Sequence, residues 1–243
     1  MAAPEEASPS SRESDQSGRF QRVWLLTFVS LFLTLLAFFI VLISQVILEG
    51  VPEKRAYQLM LQDLTQAVQR YAHEEGLDWL RVENAFPKGV RLYPDPALFA
   101  DQPLFYSARA QLNPRFIPYL REIARFLHSL DVPAFDRVHT ALLRPVHRKG
   151  LRVQLTLRVE GHTDATPPAP NAPYPDNVTL SVFRAHAVMK RLQALSAIPP
   201  RYWAIAGYGA WHPLFPDPMD PRNRRVELYL QPQLIKAEGE TDG

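Results

Sequence analysis

The sequence predicts an α/β (α+β) protein with one transmembrane helix followed by a domain whose helices pack on one face of a mixed β-sheet. Three observations predict it. Residues 23–48 run 26 positions without Asp, Glu, Lys, Arg or His. Leu151, Val153, Leu155, Leu157 and Val159 alternate with Arg152, Gln154, Thr156, Arg158 and Glu160, the period of two expected for a strand with one buried face. Apolar residues at helical spacing lie on both sides of that strand, Phe116, Leu120, Ile123, Leu127 and Leu130 before it and Leu180, Phe183, Ala187, Val188 and Leu195 after it. Interleaved helices and strands of this kind give helices layered on a sheet.

Composition narrows the function classes. The 243 residues carry 27 basic and 25 acidic side chains, a net charge of +2, which does not suggest a nucleic-acid surface. With no cysteine, a disulfide scaffold, a thiolate metal site and a cysteine nucleophile are excluded. Proline, at 23 residues, is well above the usual ~5%, so the loops are numerous and stiff.

Taken in order, residues 1–18 are rich in Ser, Glu and Pro without an apolar period and are expected to be a disordered cytoplasmic tail. Residues 19–49 hold the transmembrane helix, long enough at ~1.5 Å per residue for the ~30 Å hydrocarbon layer. Its apolar run exceeds the ~7–15 residues of a signal peptide. Arg12, Arg19 and Arg22 before it outnumber Lys54 and Arg55 after it, which places the N-terminus inside. Residues 50–84 form a juxtamembrane segment in which Tyr57, Met60, Leu61, Leu64, Ala67, Val68 and Tyr71 recur at helical spacing. That stripe is expected to pair with its copy in a dimer or to lie on the membrane surface.

A globular domain is expected over 85–232, with a disordered tail at 233–243. Within it, 89–93 reads as a short strand and Asn113-Pro114 as a helix N-cap with proline at the first helical position. The helix at 178–195 stops before Pro199-Pro200, as prolines without a donor require. Strands at 202–206 and 225–230 complete the set, joined by the loop 207–223.

Four ordered blocks carry the chemistry: Glu160-Gly161-His162-Thr163-Asp164, then 177–185 from Asn177 through Leu180, Ser181 and Arg184 to Ala185, then Gly207-Tyr208-Gly209, then Asn223-Arg224-Arg225-Val226-Glu227. With them, the domain resembles the OmpA-like peptidoglycan-binding domain. The resemblance implies that Asp164 and Arg184 grip the diaminopimelate of the stem peptide, with Thr163 and Asn177 beside them. Asn177 would cap the helix or add a polar contact. The side-chain end of diaminopimelate carries an ammonium and a carboxylate on one carbon, so a fixed carboxylate and a fixed guanidinium match it point for point. Arginine suits this better than lysine because its planar fork holds a carboxylate through two parallel donors. The interval from Asp164 to Arg184 is longer than the family pattern, and the excess falls in the proline-rich stretch 167–175. A surface loop tolerates such growth, and here it either shades the pocket or leaves it open. The structural alternative is an internal salt bridge between Asp164 and Arg184.

A rival reading takes Glu160, His162 and Asp164 as a metal or acid–base cluster, since alternate residues of a strand point the same way. A wall-cleaving hydrolase using Glu160 and Asp164 would follow from it. No Ser-His-Asp order, P-loop or dinucleotide fingerprint appears, and His212 reads as a loop residue. A non-enzymatic protein without cofactor or metal is expected.

The apolar helix carries a second resemblance through Trp24, Thr27, Phe28, Ser30, Thr34, Ala37 and Phe38. It is similar to the single span of MotB, the stator B subunit of the flagellar motor, a family that pairs such a span with an OmpA-like domain. The resemblance implies a single-pass inner-membrane protein with a periplasmic C-terminal domain, a homodimer, and a multi-span MotA-like partner. It also implies an ion-carrying aspartate at the position of Ser30. A hydroxyl does not titrate near neutral pH, so this span lacks its own ion-carrying carboxylate. Thr27, Ser30 and Thr34 head a seam of small or polar residues expected to contact a partner helix. The leading expectation is a peptidoglycan anchor for a stator-like complex, and the alternative is a simple envelope tether.

Overall fold

The computed structural model describes residues 9–99, 103–106 and 108–237. They fall into two compact units, Met1–Pro52 and Glu53–Gly243, to both of which helix α1 (Pro9–Glu74) contributes. In the first unit, Arg22–Ser44 is long and apolar enough to cross a membrane, with a mean hydropathy of 2.8 and none of it buried. Thr27 Oγ1 donates to the Val23 carbonyl and Thr34 Oγ1 to the Ser30 carbonyl, each at 2.8 Å. Bonding back to the preceding turn satisfies both hydroxyl donors inside the helix. Of the segment expected to be a disordered tail, residues 1–8 lie outside the described residues, whereas 9–18 are helical. Extending an existing helix costs little once a nucleus is formed, and the apolar run supplies that nucleus.

In the second unit, strands β1 (Leu80–Asn84), β2 (Val90–Pro94), β3 (Leu151–Gly161), β4 (Trp203–Gly207) and β5 (Val226–Lys236) form one sheet in the order β1-β2-β5-β3-β4. β3 and β4 pair in parallel, and the other neighbours are antiparallel. Parallel neighbours need a crossover, which helix α5 (Asn177–Ser196) supplies between them. Helices α2 (Ile117–Ser129), α3 (Phe135–Val138) and α4 (Thr140–His147) fill the stretch between β2 and β3. The expected fold class is therefore observed, an apolar N-terminal helix followed by an α+β domain on a mixed five-stranded sheet.

The alternation of β3 does its expected work. Val153, Leu155, Leu157 and Val159 are buried together with Leu92, Leu228 and Leu230 of the neighbouring strands, and Leu120, Ile123 and Leu127 of α2 join the same core. Asn113 caps as its sequence position predicts, its Oδ1 accepting from Arg115 N at 3.1 Å ahead of Pro114. The opposite side of the sheet is polar. There Arg91 and Arg158 both stand across from Tyr229, and Glu160 stands across from Glu227.

Three expectations are corrected. The stripe on α1 is not free for a dimer or a membrane surface, because Met60, Leu61, Leu64 and Val68 are buried in the core of their own domain. Tyr71 lies 5.0 Å from the Phe126 ring. Intramolecular burial spares the loss of freedom that association exacts, so the domain begins near residue 53 rather than 85. Its far boundary also moves, since β5 continues to Lys236 by pairing with the whole of β3, down to Leu151↔Lys236. The remaining tail residues 238–243 lie outside the described residues. Finally, Phe183 does not face the sheet. It is 49% exposed and packs on Tyr174 of the preceding loop.

Candidate ligand pocket and the ion cluster behind it

β3 ends at Gly161, and the chain leaves it as His162-Thr163-Asp164. Helix α5 passes very close to this exit. A Cβ on Gly161 would fall on the Ser181 carbonyl oxygen, and one on Gly207 would meet Val182 and the Ser181 hydroxyl. Only residues without a side chain permit that approach. Gly209 then stitches helix to loop, its N–H donating to Ser181 Oγ at 3.0 Å and its carbonyl accepting from Thr163 N at 2.8 Å. Arg184, one turn beyond Ser181, is thereby carried to the same opening as Asp164.

That opening is a pocket of about 880 Å³, and Thr163, Asp164, Asn177 and Arg184 all line it. Asp164 is 5% exposed and Arg184 4%. Asp164 Oδ2 accepts from Thr166 Oγ1 at 3.1 Å and pairs with Arg224 Nη1 at 3.3 Å. Arg184 donates from Nε to the Arg109 carbonyl at 3.1 Å and lies over the Phe105 ring, 5.1 Å from its centroid. Among the described residues, no carboxylate forms an ion pair with it. Burial first, and then the charge of Arg224, push the Arg184 guanidinium down to about 10, while Asp164 and Tyr174 act in the opposite direction. It remains a cation at neutral pH. The internal salt bridge held open as the structural alternative is therefore not made, because Arg224 takes the place on Asp164.

The other two expected residues divide. The Thr163 hydroxyl is buried without a hydrogen-bond partner among the described residues. Asn177 does not cap α5. Asp176 does so, through Thr179 N at 2.6 Å, and Asn177 Nδ2 instead donates to the carbonyls of Asp164 at 3.2 Å and Thr166 at 3.0 Å. It fixes the backbone that presents Asp164. Asn223, fully buried, holds the 207–223 loop by accepting from the N–H groups of Leu214 and Phe215. Sequence reasoning missed Arg224, Phe105 and the Arg109 carbonyl as parts of the site. Arg224 stood inside a recognised block, but its contact with Asp164 spans 60 residues of chain. Nothing local marks the other two.

The cluster expected from Glu160, His162 and Asp164 is also rearranged. The strand ends before Asp164, which turns into the pocket, and Glu227 takes its place beside Glu160 and His162, with ligand atoms within 4.8 Å of one another. Both carboxylates are already committed. Glu227 accepts from Arg225 Nε at 2.6 Å and Tyr229 OH at 2.9 Å and pairs with Arg91 Nε at 3.2 Å. Glu160 pairs with Arg158 Nε at 2.9 Å and Lys88 Nζ at 3.4 Å. Burial raises the Glu227 carboxyl, but Arg225, His162 and Arg91 outweigh it and the net direction is down. Burial, then Arg225, drive His162 down to about 3, so its ring is neutral, stacked 5.5 Å from Tyr208. Four cations around two carboxylates offer a metal dication repulsion rather than a vacancy.

No family model matches the chain, and no curated protein matches it. Among solved structures, a MotB-like protein from Desulfovibrio vulgaris is 21% identical, over 79% of this chain and 99% of that one, with a TM-score of 0.49. The periplasmic domain of Helicobacter pylori MotB is 22% identical, over 63% and 81%, with a TM-score of 0.45. The cell wall anchor of the T6SS from Pseudomonas aeruginosa is 25% identical, over 68% and 96%, with a TM-score of 0.44. The solved structures that the chain resembles are MotB-like periplasmic domains and OmpA-like domains.

Proposed function

We propose that this protein is a membrane-tethered peptidoglycan anchor whose pocket holds the zwitterionic end of diaminopimelate. One observation carries the reading: a buried guanidinium, Arg184, without a carboxylate partner among the described residues, lines the same pocket as a buried carboxylate, Asp164. Asp164's present partner is replaceable, since the Arg224 side chain is 42% exposed and such a pair contributes little. The ligand ammonium displaces Arg224 from Asp164, and the ligand carboxylate takes the free edge of the Arg184 fork. The plane of that fork is already set by Arg109 and Phe105. The reading is one of binding rather than cleavage, because the further carboxylates that line the pocket are also engaged: Asp220 pairs with Arg222, and Asp217 Oδ1 accepts from Met219 N at 2.9 Å.

In this reading Arg22–Ser44 crosses the inner membrane, with the N-terminus cytoplasmic and the domain periplasmic. The span faces a second copy and a multi-span MotA-like partner through Thr27, Ser30 and Thr34, whose oxygens remain free to accept. With no acidic residue between 23 and 48, any coupled ion is carried by the partner.

The test is pull-down of the full chain on purified sacculi. Removing one member of a buried charge pair in an interface costs ~2–5 kcal/mol, so Asp164→Ala and Arg184→Ala should each reduce retention at least tenfold. Full retention by both would sink the assigned pocket. Copurification from detergent with a multi-span protein separates the stator-like complex from a simple tether.

A further inference from the structure

The proline-rich loop is a built wall of the pocket, held at both ends. At its start, Asn177 grips the Asp164 and Thr166 carbonyls, Thr166 Oγ1 donates to Asp164, and Ala165 N donates to the Pro218 carbonyl at 2.8 Å. In its middle, Ala172 N closes a turn on the Ala169 carbonyl at 2.8 Å. At its end, the Tyr174 ring packs 5.0 Å from Phe183, which accounts for an aromatic residue on the outer side of α5. Prolines with fixed φ lower the entropy lost in holding this shape. Pro167, Pro168, Ala169, Ala172 and Tyr174 line the same cavity as the two charges.

The pocket's size asks for more than one amino-acid end. At about 880 Å³ it lies in the ~300–1,000 Å³ range that encloses ligands of several hundred daltons. The charges recognise one terminus, and the wall offers only shape and apolar contact. We propose that the 167–174 wall is a second subsite for the uncharged, methyl-bearing part of the stem peptide adjoining diaminopimelate, with Phe183 positioning it through Tyr174. This rests on the peptidoglycan reading and deepens it, from an amino-acid end to a stem peptide.

Calorimetry on the full chain in detergent, with free meso-diaminopimelate and with the tripeptide meso-diaminopimelyl-D-alanyl-D-alanine amide, whose uncharged methyl-bearing residues adjoin diaminopimelate, tests it. The wild type should bind the tripeptide at least tenfold more tightly. In Phe183→Ala, whose side chain is outside the pocket, and in a chain with 167–173 replaced by Gly and Ser at equal length, that ratio should fall below threefold. For Phe183→Ala the affinity for free diaminopimelate should stay within threefold of wild type. A wild-type ratio near one, or a ratio untouched in both variants, overturns the subsite while leaving the charge pair standing. A wild type that binds neither compound overturns both.

Discussion

Two groups of acid and arginine side chains lie on either side of one strand end, and their states are opposite. Behind the sheet, Glu160 and Glu227 are 1% and 2% exposed, and each is met by two cations. In the pocket, Asp164 pairs with the partly exposed Arg224 and, among the described residues, Arg184 has no carboxylate. Both groups hold buried carboxylates paired with arginine, so neither feature separates structure from function. What separates them is whether the charges are already answered within the fold. A satisfied cluster fixes the sheet, and an unsatisfied pair held open is a demand for a ligand.

Breaking the comparison starts with stability. Glu227→Ala leaves Arg225 and Arg91 facing each other without their carboxylate, a loss of the kind that costs ~3–5 kcal/mol, or on the order of 10 °C in Tm for a domain of this size. Asp164→Ala releases Arg224 toward water and should cost below about 1 kcal/mol. Thermal unfolding of both variants in one detergent decides, and the reverse order would erase the distinction between the two groups.

The sealed cluster should also sense acid. Folded His162 titrates at about 3 against 6.5 when free. As pH falls through 6.5, the unfolded chain takes up a proton that the folded one refuses. The stability attached to this group is therefore fully present above pH 6.5 and declines through the window down to about 3, by ~1.4 kcal/mol per unit. Between pH 7 and 5 the wild type should lose roughly 2 kcal/mol more than His162→Gln, measured by urea unfolding. Equal losses would mean that the ring already has a proton-accepting partner.

The same contrast explains what could be read in advance. Periodicity exposed β3, α2 and α5 because each buries one face, and the four blocks pointed to Asp164 and Arg184 only through their resemblance to the OmpA-like pattern, with which the chemistry of a zwitterion agrees. Periodicity also found the stripe at Met60, Leu61, Leu64 and Val68 but not its destination, since a face looks alike whether its cover comes from a second copy or from its own domain. β1 escaped because its burial is slight beyond Leu80. In the site, the substitution of Glu227 for Asp164 in the acidic cluster depended on where β3 ends, and boundaries are what single sequences show least. Phe183 was misassigned because its partner, Tyr174, sits in a loop without a period.

The smallest effect sharpens the contrast most, since it compares neighbours. Arg225 is anchored by Glu227, the Asn223 carbonyl at 3.3 Å and the His212 carbonyl at 3.1 Å, whereas Arg224 pairs with Asp164 from a half-exposed position. If Arg224 merely holds the place of the ligand ammonium, Arg224→Ala removes a competitor. It also removes the second-largest influence that lowers the Arg184 pKa. Binding of free meso-diaminopimelate should then strengthen two- to fivefold, the equivalent of ~0.5–1 kcal/mol for an exposed pair, with the gain shrinking as salt screens the charges. A loss of affinity would instead make Arg224 a direct contact of the ligand, and its pair with Asp164 would no longer be a stand-in for the ligand ammonium.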